Sequence, residues 1–225
     1  MVPYGTNPAN MDIALTILTF IVLILSVIAH EVAHGYAANS LGDPTARLAG
    51  RLTLNPIPHI DPLGSIILPA LLMLTNSPIF FGWAKPVPYN PHNLRDQRWG
   101  ETIVALAGVA TNFFFALVFG LLVRFGASLG LDAAMLSFAS TIAFINLFLG
   151  MFNLIPFPPL DGFTALRSAL PWRFSSGLYR FENRMRSTGF VSLILFLFVF
   201  SYILAGPFYD FVGWMFHLLT NTYYA

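Results

Sequence analysis

The sequence predicts an all-α polytopic membrane protein, on three observations. Of its 225 residues, 56% are hydrophobic and only 9% are charged, whereas soluble domains carry about 25% charged residues. Apolar stretches close to the length of a membrane span recur along the chain. Residues 1–12 contain no Lys or Arg, so the basic start of a signal peptide is missing and the first apolar run is retained as structure.

Six apolar stretches are candidates for membrane segments, and we expect four to six of them to form such segments. They cover residues 13–29 (continuing as a helix to about residue 39), 62–84, 102–123, 133–155, 187–205 and 208–220. Pro69 and Pro78 interrupt the second stretch, which favours a short re-entrant, β-like element whose backbone is sheltered by protein. The last stretch is short and follows Pro207, so it is expected to be a half-helix or an interfacial segment.

Basic residues predict the orientation, because cytoplasmic loops are rich in Lys and Arg. If the N-terminus lies outside and residues 62–84 do not cross, every basic residue except Arg124 is cytoplasmic. We therefore expect a multi-pass protein of the cell membrane that forms a single domain over 1–225. Its core would span about 12–186, followed by C-terminal membrane helices over 187–225. No Lys/Arg block suggests a nucleic-acid partner.

The first apolar run ends in His30-Glu31-Val32-Ala33-His34, an H-E-x-x-H motif. On a helix, His30 and His34 share one face and can bind one zinc ion, while Glu31 can take a proton from a water that zinc activates. The alternative is a pair of buried histidines bonded to backbone carbonyls, with Glu31 reaching the interface. Ionisable groups inside a membrane helix are costly and usually functional, which favours the metal site.

A catalytic zinc needs a third protein ligand, and the chain has no cysteine. Asp161, in "NLIPFPPLDGF", follows prolines that end the fourth apolar stretch and opens a new helical piece. It is either the third ligand or a helix N-cap. The other histidines and glutamates are His59, His92, His217, Glu101 and Glu182. His59 and Asp61 lie among prolines, which predicts a turn with capping side chains rather than ligands. A role in supporting the ligands or in gating is the second interpretation of this pair.

His30-Glu31-x-x-His34, "NLIPFPPLDG" (153–162) and "ALAGVATNFFFAL" (105–117) together resemble the site-2 protease family of intramembrane zinc metalloproteases. The resemblance covers about 12–186 and is to the minimal form without a PDZ or CBS domain. It implies one zinc ion per chain, bound by His30, His34 and Asp161, with Glu31 as the catalytic base. It also implies that Asn153 lies near the reacting carbonyl, whereas the residues alone favour a hydrogen bond between helices.

Asn112 lies four residues after Gly108 in the third apolar stretch. This small-x-x-x-polar spacing predicts close packing of that helix against the catalytic helices. A contact with substrate is the second interpretation of Asn112.

The segment "FFGWAKPVPYNP" (80–91) predicts a one-sided strand, because Pro86 and Pro88 remove the N–H groups of one edge. Lys85, Val87 and Tyr89 keep theirs on the other edge, which would bind an extended substrate by strand addition. The alternative is a polyproline-like surface loop.

The predicted function is that of an intramembrane zinc endopeptidase that cleaves transmembrane segments of single-pass membrane proteins in the lipid bilayer. The active site would lie toward the cytoplasmic side. One alternative class is a membrane di-iron desaturase or hydroxylase, for which five histidines are too few. The other is a non-enzyme: a transporter, a membrane metal-binding protein or an inactive protease-like scaffold.

Overall fold

The computed structural model describes residues 8–67, 74 and 84–224. Eight α-helices lie in these ranges: α1 (Pro8–Ser40), α2 (Thr45–Leu48), α3 (Gly100–Gly126), α4 (Ala133–Asn153), α5 (Asp161–Ala169), α6 (Trp172–Ser187), α7 (Phe190–Val199) and α8 (Ala205–Thr220). Short 3₁₀ turns lie at Ile57–His59 and Pro91–Asn93, and π-helical turns at Pro62–Ile67 and Phe200–Leu204. The described residues contain no β-strand.

Four helical stretches are long and apolar enough to cross a membrane, which confirms the prediction of an all-α polytopic membrane protein. They are Thr16–Ser40, Gly100–Gly126, Ala133–Asn153 and Ile194–Thr220. The separate half-helix expected over 208–220 is wrong, because α7 runs through the π-helical turn into α8. Pro207 lies in the first turn of α8, where the wider turn before it accommodates the missing N–H.

Helix α3 lies at the centre of the bundle and packs against α1, α4, α5 and α8. Its Ala116 joins residues of α4 and α8 in a buried apolar cluster. The other buried members of that cluster are Ala143, Phe144, Leu147, Val212 and Phe216. The C-terminal helix α8 is therefore part of the core that holds α3 and α4 in place.

Helices α1 and α3 are antiparallel. His34 of α1 contacts Val104 of α3, and His30, one turn earlier, contacts Asn112. The end of α1 and the start of α3 consequently lie at the same end of the bundle. The re-entrant hairpin predicted over 62–84 falls mostly outside the described residues.

The turn between α4 and α5 brings Asp161 back to the bundle. The prolines of "PFPP" stop α4, and α5 begins at Asp161 itself. Gly162 lies against the Leu154 carbonyl, and a Cβ at this position would collide with that backbone. The glycine after Asp161 therefore permits the close return of α5 to the end of α4.

Candidate metal centre

Three potential metal ligands from two helices converge at one point. The Nε2 atoms of His30 and His34 lie 3.0 Å apart, and Oδ2 of Asp161 lies 2.9 Å from the first and 3.4 Å from the second. Both histidines are buried, and Asp161 is partly buried. The structure thus brings together, across 127 positions of sequence between His34 and Asp161, the residues expected to bind zinc.

The environment of His34 fixes which of its nitrogens carries hydrogen. Its Nδ1 lies 2.7 Å from the Val104 carbonyl oxygen. A carbonyl oxygen can only accept a hydrogen bond, so Nδ1–H is the donor. In the neutral ring, Nε2 therefore presents a lone pair to His30 and Asp161.

A chain of amides fixes the same arrangement for His30. Asn146 donates from Nδ2 to the Ile142 carbonyl at 2.9 Å and to the Ser26 hydroxyl at 2.9 Å, so its Oδ1 must face Asn112. Asn112 donates from Nδ2 to that oxygen at 2.9 Å. The Oδ1 of Asn112 then accepts from Nδ1 of His30 at 2.5 Å, which leaves a lone pair on Nε2 of His30 as well.

With both rings neutral, these orientations leave three acceptors facing one another with no proton between them. Oδ2 of Asp161 finds no hydrogen-bond donor among the described residues, and two imidazole lone pairs point at it. Such a group is repulsive unless a cation compensates it. Tetrahedral zinc with bonds of about 2.0–2.1 Å places its ligand atoms about 3.3 Å apart, close to the distances observed. The residues therefore fit a metal ion.

Gly108 makes room for the two histidine rings. A Cβ at this position would lie 2.6 Å from Nε2 of His34 and 2.7 Å from Cε1 of His30. These distances are shorter than any ordinary carbon contact, and both rings are held by hydrogen bonds. The close packing predicted for the Gly108–Asn112 face is confirmed, and it packs against the histidines themselves.

Glu31 is bound by the backbone of the proline-rich segment. Its Oε2 accepts from the N–H of Val87 at 2.9 Å, and Val87 is buried. Gly35 permits this approach, because a Cβ there would lie 2.8 Å from Cγ1 of Val87 and 2.6 Å from Cδ2 of Leu52. One carboxylate oxygen of Glu31 is thus fixed beside the histidine pair.

The structure corrects two of the expected substrate contacts. The N–H of Lys85 donates to the His59 carbonyl at 2.8 Å and that of Val87 donates to Glu31. These two donors of the edge are therefore bonded within the protein and are not free to bind a substrate. Tyr89, the third residue of that edge, packs beside a buried cluster of Ala38, Leu94 and Val104, and its contact with substrate stays a prediction.

The structure also corrects the predicted contact of Asn112 with substrate. Its side chain has no accessible surface, and its amide is committed to His30 and Asn146. Asn112 instead orients the His30 ring.

Asn153 lies at the end of α4 and donates from Nδ2 to the Leu149 carbonyl at 3.0 Å. This bond lies within one helix, so the hydrogen bond between helices that the residues alone favoured is not the one observed. An amide nitrogen carries two hydrogens, and one of them remains for another acceptor.

The turn around His59 and Asp61 has the capping role that its prolines predicted. Oδ1 of Asp61 accepts from the N–H groups of Leu63 and Gly64 at 3.0 and 2.7 Å. His59 is buried and donates from Nε2 to the Thr53 carbonyl at 2.9 Å.

Sequence reasoning missed Asn146, Gly35 and the role of Val87 at Glu31. Gly35 directly follows the H-E-x-x-H motif, and a glycine in a helix interior indicates that another backbone approaches closely. Asn146 is a polar residue in an apolar span, a position that predicts a hydrogen-bonded partner. The contact between Val87 and Glu31 leaves no signal in the local pattern.

Comparison with known proteins gives a consistent result. The family model described as "Peptidase family M50" matches residues 126–197. YwhC of Bacillus subtilis (strain 168), named as a candidate zinc metalloprotease, is 39% identical over 188 residues, which cover 79% of this chain and 78% of YwhC. No solved structure matches the chain.

Two mycobacterial proteins with the same kind of name are more distant. Rip2 of Mycolicibacterium smegmatis (strain ATCC 700084 / mc(2)155) is 36% identical over 152 residues, 65% of this chain and 55% of Rip2. Rip2 of Mycobacterium tuberculosis (strain ATCC 25618 / H37Rv) is 27% identical over 195 residues, 87% of this chain and 71% of that protein. The chain therefore belongs to peptidase family M50, the site-2 protease family, and is a multi-pass membrane zinc metalloendopeptidase.

Proposed function

We propose that this protein is an intramembrane endopeptidase that cleaves transmembrane segments of single-pass membrane proteins. His30, His34 and Asp161 would hold its zinc ion, and Glu31 would act as the general base. The observation that carries the proposal is the convergence of three metal-ligating side chains: His30 and His34, with Glu31 beside them, lie on a helix apolar enough to span the bilayer, and Asp161 of α5 meets them there.

The chemistry divides between the metal and the chain. Zinc held by His30, His34 and Asp161 would supply Lewis acidity, which would make a water more acidic and polarise a peptide carbonyl. The free oxygen of Glu31 takes the proton from that water, since the other oxygen is held by Val87. After the water oxygen has bonded to the carbonyl carbon, Glu31 delivers the proton to the amide nitrogen, and the C–N bond breaks to release the amine. Asn153 is the candidate donor to the developing oxyanion through its second amide hydrogen.

The basic residues support an active site toward the cytoplasm of a cell-membrane protein. Arg124 donates to the Leu218 carbonyl at 2.9 Å, so it lies beside the end of α8. Arg95 and Arg98 precede α3, so they lie at the end of this helix opposite to Arg124. If Arg124 lies outside, the positive-inside rule predicts that the end of α1 that carries Glu31 lies toward the cytoplasm. Two antiparallel helices joined at one end also agree with a 62–84 segment that makes no net crossing.

The test measures zinc content and proteolysis in the purified full-length protein. The probe is a tagged model segment of about 20 apolar residues in mixed micelles. We expect Glu31→Gln to retain one zinc per chain and to lose cleavage by about 10²-fold or more. Asp161→Ala should lose both zinc and cleavage. Asp96→Asn, which changes an exposed carboxylate before α3, should match the wild type.

Three results would contradict the proposal. Wild-type protein without zinc would remove the metal site, and full cleavage by Glu31→Gln would remove Glu31 as the base. Zinc-loaded wild-type protein that leaves the model segment and unfolded casein intact would support the metal-binding scaffold instead.

A further inference from the structure

We infer that Arg51 and His59 are positioning residues that orient Glu31 through the proline-rich segment. This inference rests on the proposed function, in which Glu31 is the base. Residues 84–95, here called the strap, run alongside the end of α1 and deliver the Val87 N–H to Glu31. Arg51 and His59 contact neither Glu31 nor the metal ligands in the hydrogen bonds of the described residues, so they act through the strap.

The first anchor of the strap consists of Arg51 and His59, which bind both polar groups of the Lys85 backbone. Its N–H donates to the His59 carbonyl at 2.8 Å, and its carbonyl accepts from Nη2 of Arg51 at 2.6 Å. Arg51 and His59 are only 6% and 2% exposed, so water does not compete for these bonds. A buried charged donor on a carbonyl is among the stronger hydrogen bonds of a protein.

His59 is itself locked in one orientation. Its Nε2 faces the Thr53 carbonyl at 2.9 Å and must donate there. Its Nδ1 is therefore an acceptor for Nη2 of Arg51, 3.4 Å away. The backbone N–H of Arg51 donates to the Ala46 carbonyl at 2.9 Å, which ties the anchor to α2.

The second anchor lies beyond Val87, at Asp43. This residue has no accessible surface and accepts from the Asn90 N–H at 2.6 Å and from Nδ2 of Asn93 at 2.8 Å. Burial by itself would raise the pKa of Asp43, but these bonds and those from Thr45 lower it below its usual value. The carboxylate is thus ionised at neutral pH and holds the strap firmly.

Between the anchors, the sequence leaves the strap little freedom. Pro86 and Pro88 flank Val87 and fix their own φ angles. They also lack N–H groups, so Val87 offers the one backbone donor between Lys85 and Tyr89. A strap fixed at both ends therefore holds that donor, and with it the Glu31 carboxylate, in one place. Catalytic groups need positioning to within about 0.5 Å. The function of the two anchors is to position Glu31 in this way through Val87.

Hydrogen exchange of the strap tests this inference without metal or substrate. In 84–90 only Ala84, Lys85, Val87, Tyr89 and Asn90 carry exchangeable amides. In the full-length protein, we expect Arg51→Ala to accelerate exchange of the Lys85 and Val87 amides by about 10-fold or more. Arg47→Ala, which removes an exposed arginine of α2, is the matched control and should leave exchange unchanged.

Kinetics provide the second readout. Val87→Pro removes the donor to Glu31, so kcat should fall by about 10–100-fold while KM and zinc content hold. Arg51→Ala should do the same, and the double variant should be no worse than Val87→Pro alone, because both act on one contact. Arg51→Lys can still donate to the Lys85 carbonyl and should recover part of both exchange protection and kcat.

The inference would be overturned if the Lys85 and Val87 amides of Arg51→Ala exchanged at the wild-type rate. It would also be overturned if the losses of kcat in Arg51→Ala and Val87→Pro were additive in the double variant. If Arg51→Ala does not fold, the same exchange measurement is made on Arg51→Lys. We expect its Lys85 and Val87 amides to exchange faster than in the wild type, by less than about 10-fold. A proteolytically active Glu31→Gln would refute the proposed function instead, whereas the exchange result would still report whether the anchors hold the strap.

Discussion

Two polar clusters lie inside the same apolar bundle, and they differ in the side chains that form them. One contains amide side chains, and the other contains ion pairs. The amide cluster consists of Ser26, His30, Asn112 and Asn146, which are all buried within spans. The ion cluster lies at the end of the bundle. Its members are Glu101 at the start of α3, Arg167 at the end of α5, and Glu182 and Arg186 on α6.

The difference follows from the surroundings of each cluster. A charge buried within a span is costly, and the side chains of Ser26, Asn112 and Asn146 in the amide cluster carry none. The Ile142 carbonyl orients the amide of Asn146 in this cluster, and the Val104 carbonyl orients the neighbouring His34. At the end of the bundle, Arg167 can be desolvated because it contacts two carboxylates, at 2.7 Å from Glu182 and 3.0 Å from Glu101.

Each cluster supports a different part of the metal centre. The amide cluster orients His30 on α1. The ion cluster ties α5, which begins with Asp161, to α3, which carries Gly108 and Asn112. Because one cluster is neutral and the other ionic, mutations should separate ligand orientation from helix placement.

Arg167→Met should have the largest effect. It leaves Glu101 and Glu182 without their buried partner and also removes the guanidinium that lies 4.3 Å from the Tyr179 ring. Loss of one partner of a buried ion pair costs about 3–5 kcal/mol. We expect a strong loss of thermal stability for the full-length protein in detergent.

Arg180→Met is the matched control for Arg167→Met, because Arg180 is exposed on α6. It should melt close to the wild type. Equal melting temperatures for Arg167→Met and Arg180→Met would show that the ion cluster does not hold the helices.

Asn112→Leu should affect the metal more than the fold. It leaves Nδ1–H of His30 without its acceptor, and loss of such a partner typically lowers metal affinity about 10–100-fold. Zinc affinity measured by competition with a chelator checks this. Thr111→Val is the control, since among the described residues the Thr111 hydroxyl bonds only to the Ala107 carbonyl of its own helix. Unchanged affinity in Asn112→Leu would contradict the assignment.

Sequence reasoning predicted what local periodicity encodes. The spacing of His30 and His34 on an apolar helix indicated a metal site, and a metal with two ligands directed attention to Asp161. Val87 shows the limit, because its N–H meets Glu31 across 56 positions and the pattern of prolines suggested a free edge. Pro207 shows another, since a proline predicts a break that the π-helical turn before it avoids.

Asn146→Leu should have a smaller effect than Asn112→Leu. It removes the acceptor of the Asn112 amide, so that amide can turn and present either end to His30. Losing one such hydrogen bond costs about 1 kcal/mol, or about fivefold in zinc affinity. In the chelator competition, the zinc affinity of this variant should lie between those of Thr111→Val and Asn112→Leu. An effect larger than that of Asn112→Leu would refute the inference that Asn146 acts on His30 through Asn112.

Arg186→Gln should have the smallest effect, although Arg186 binds the same carboxylate group as Arg167. Its Nη2 lies 2.8 Å from Oε1 of Glu182, and its side chain is 76% exposed. An exposed pair one helical turn apart contributes about 0–1 kcal/mol and weakens with salt. We expect a small fall in melting temperature that disappears in about 1 M NaCl, whereas the fall in Arg167→Met persists. A loss as large as that of Arg167→Met would mean that Glu182 depends on both arginines equally, and that burial does not separate the inner from the outer ion pair.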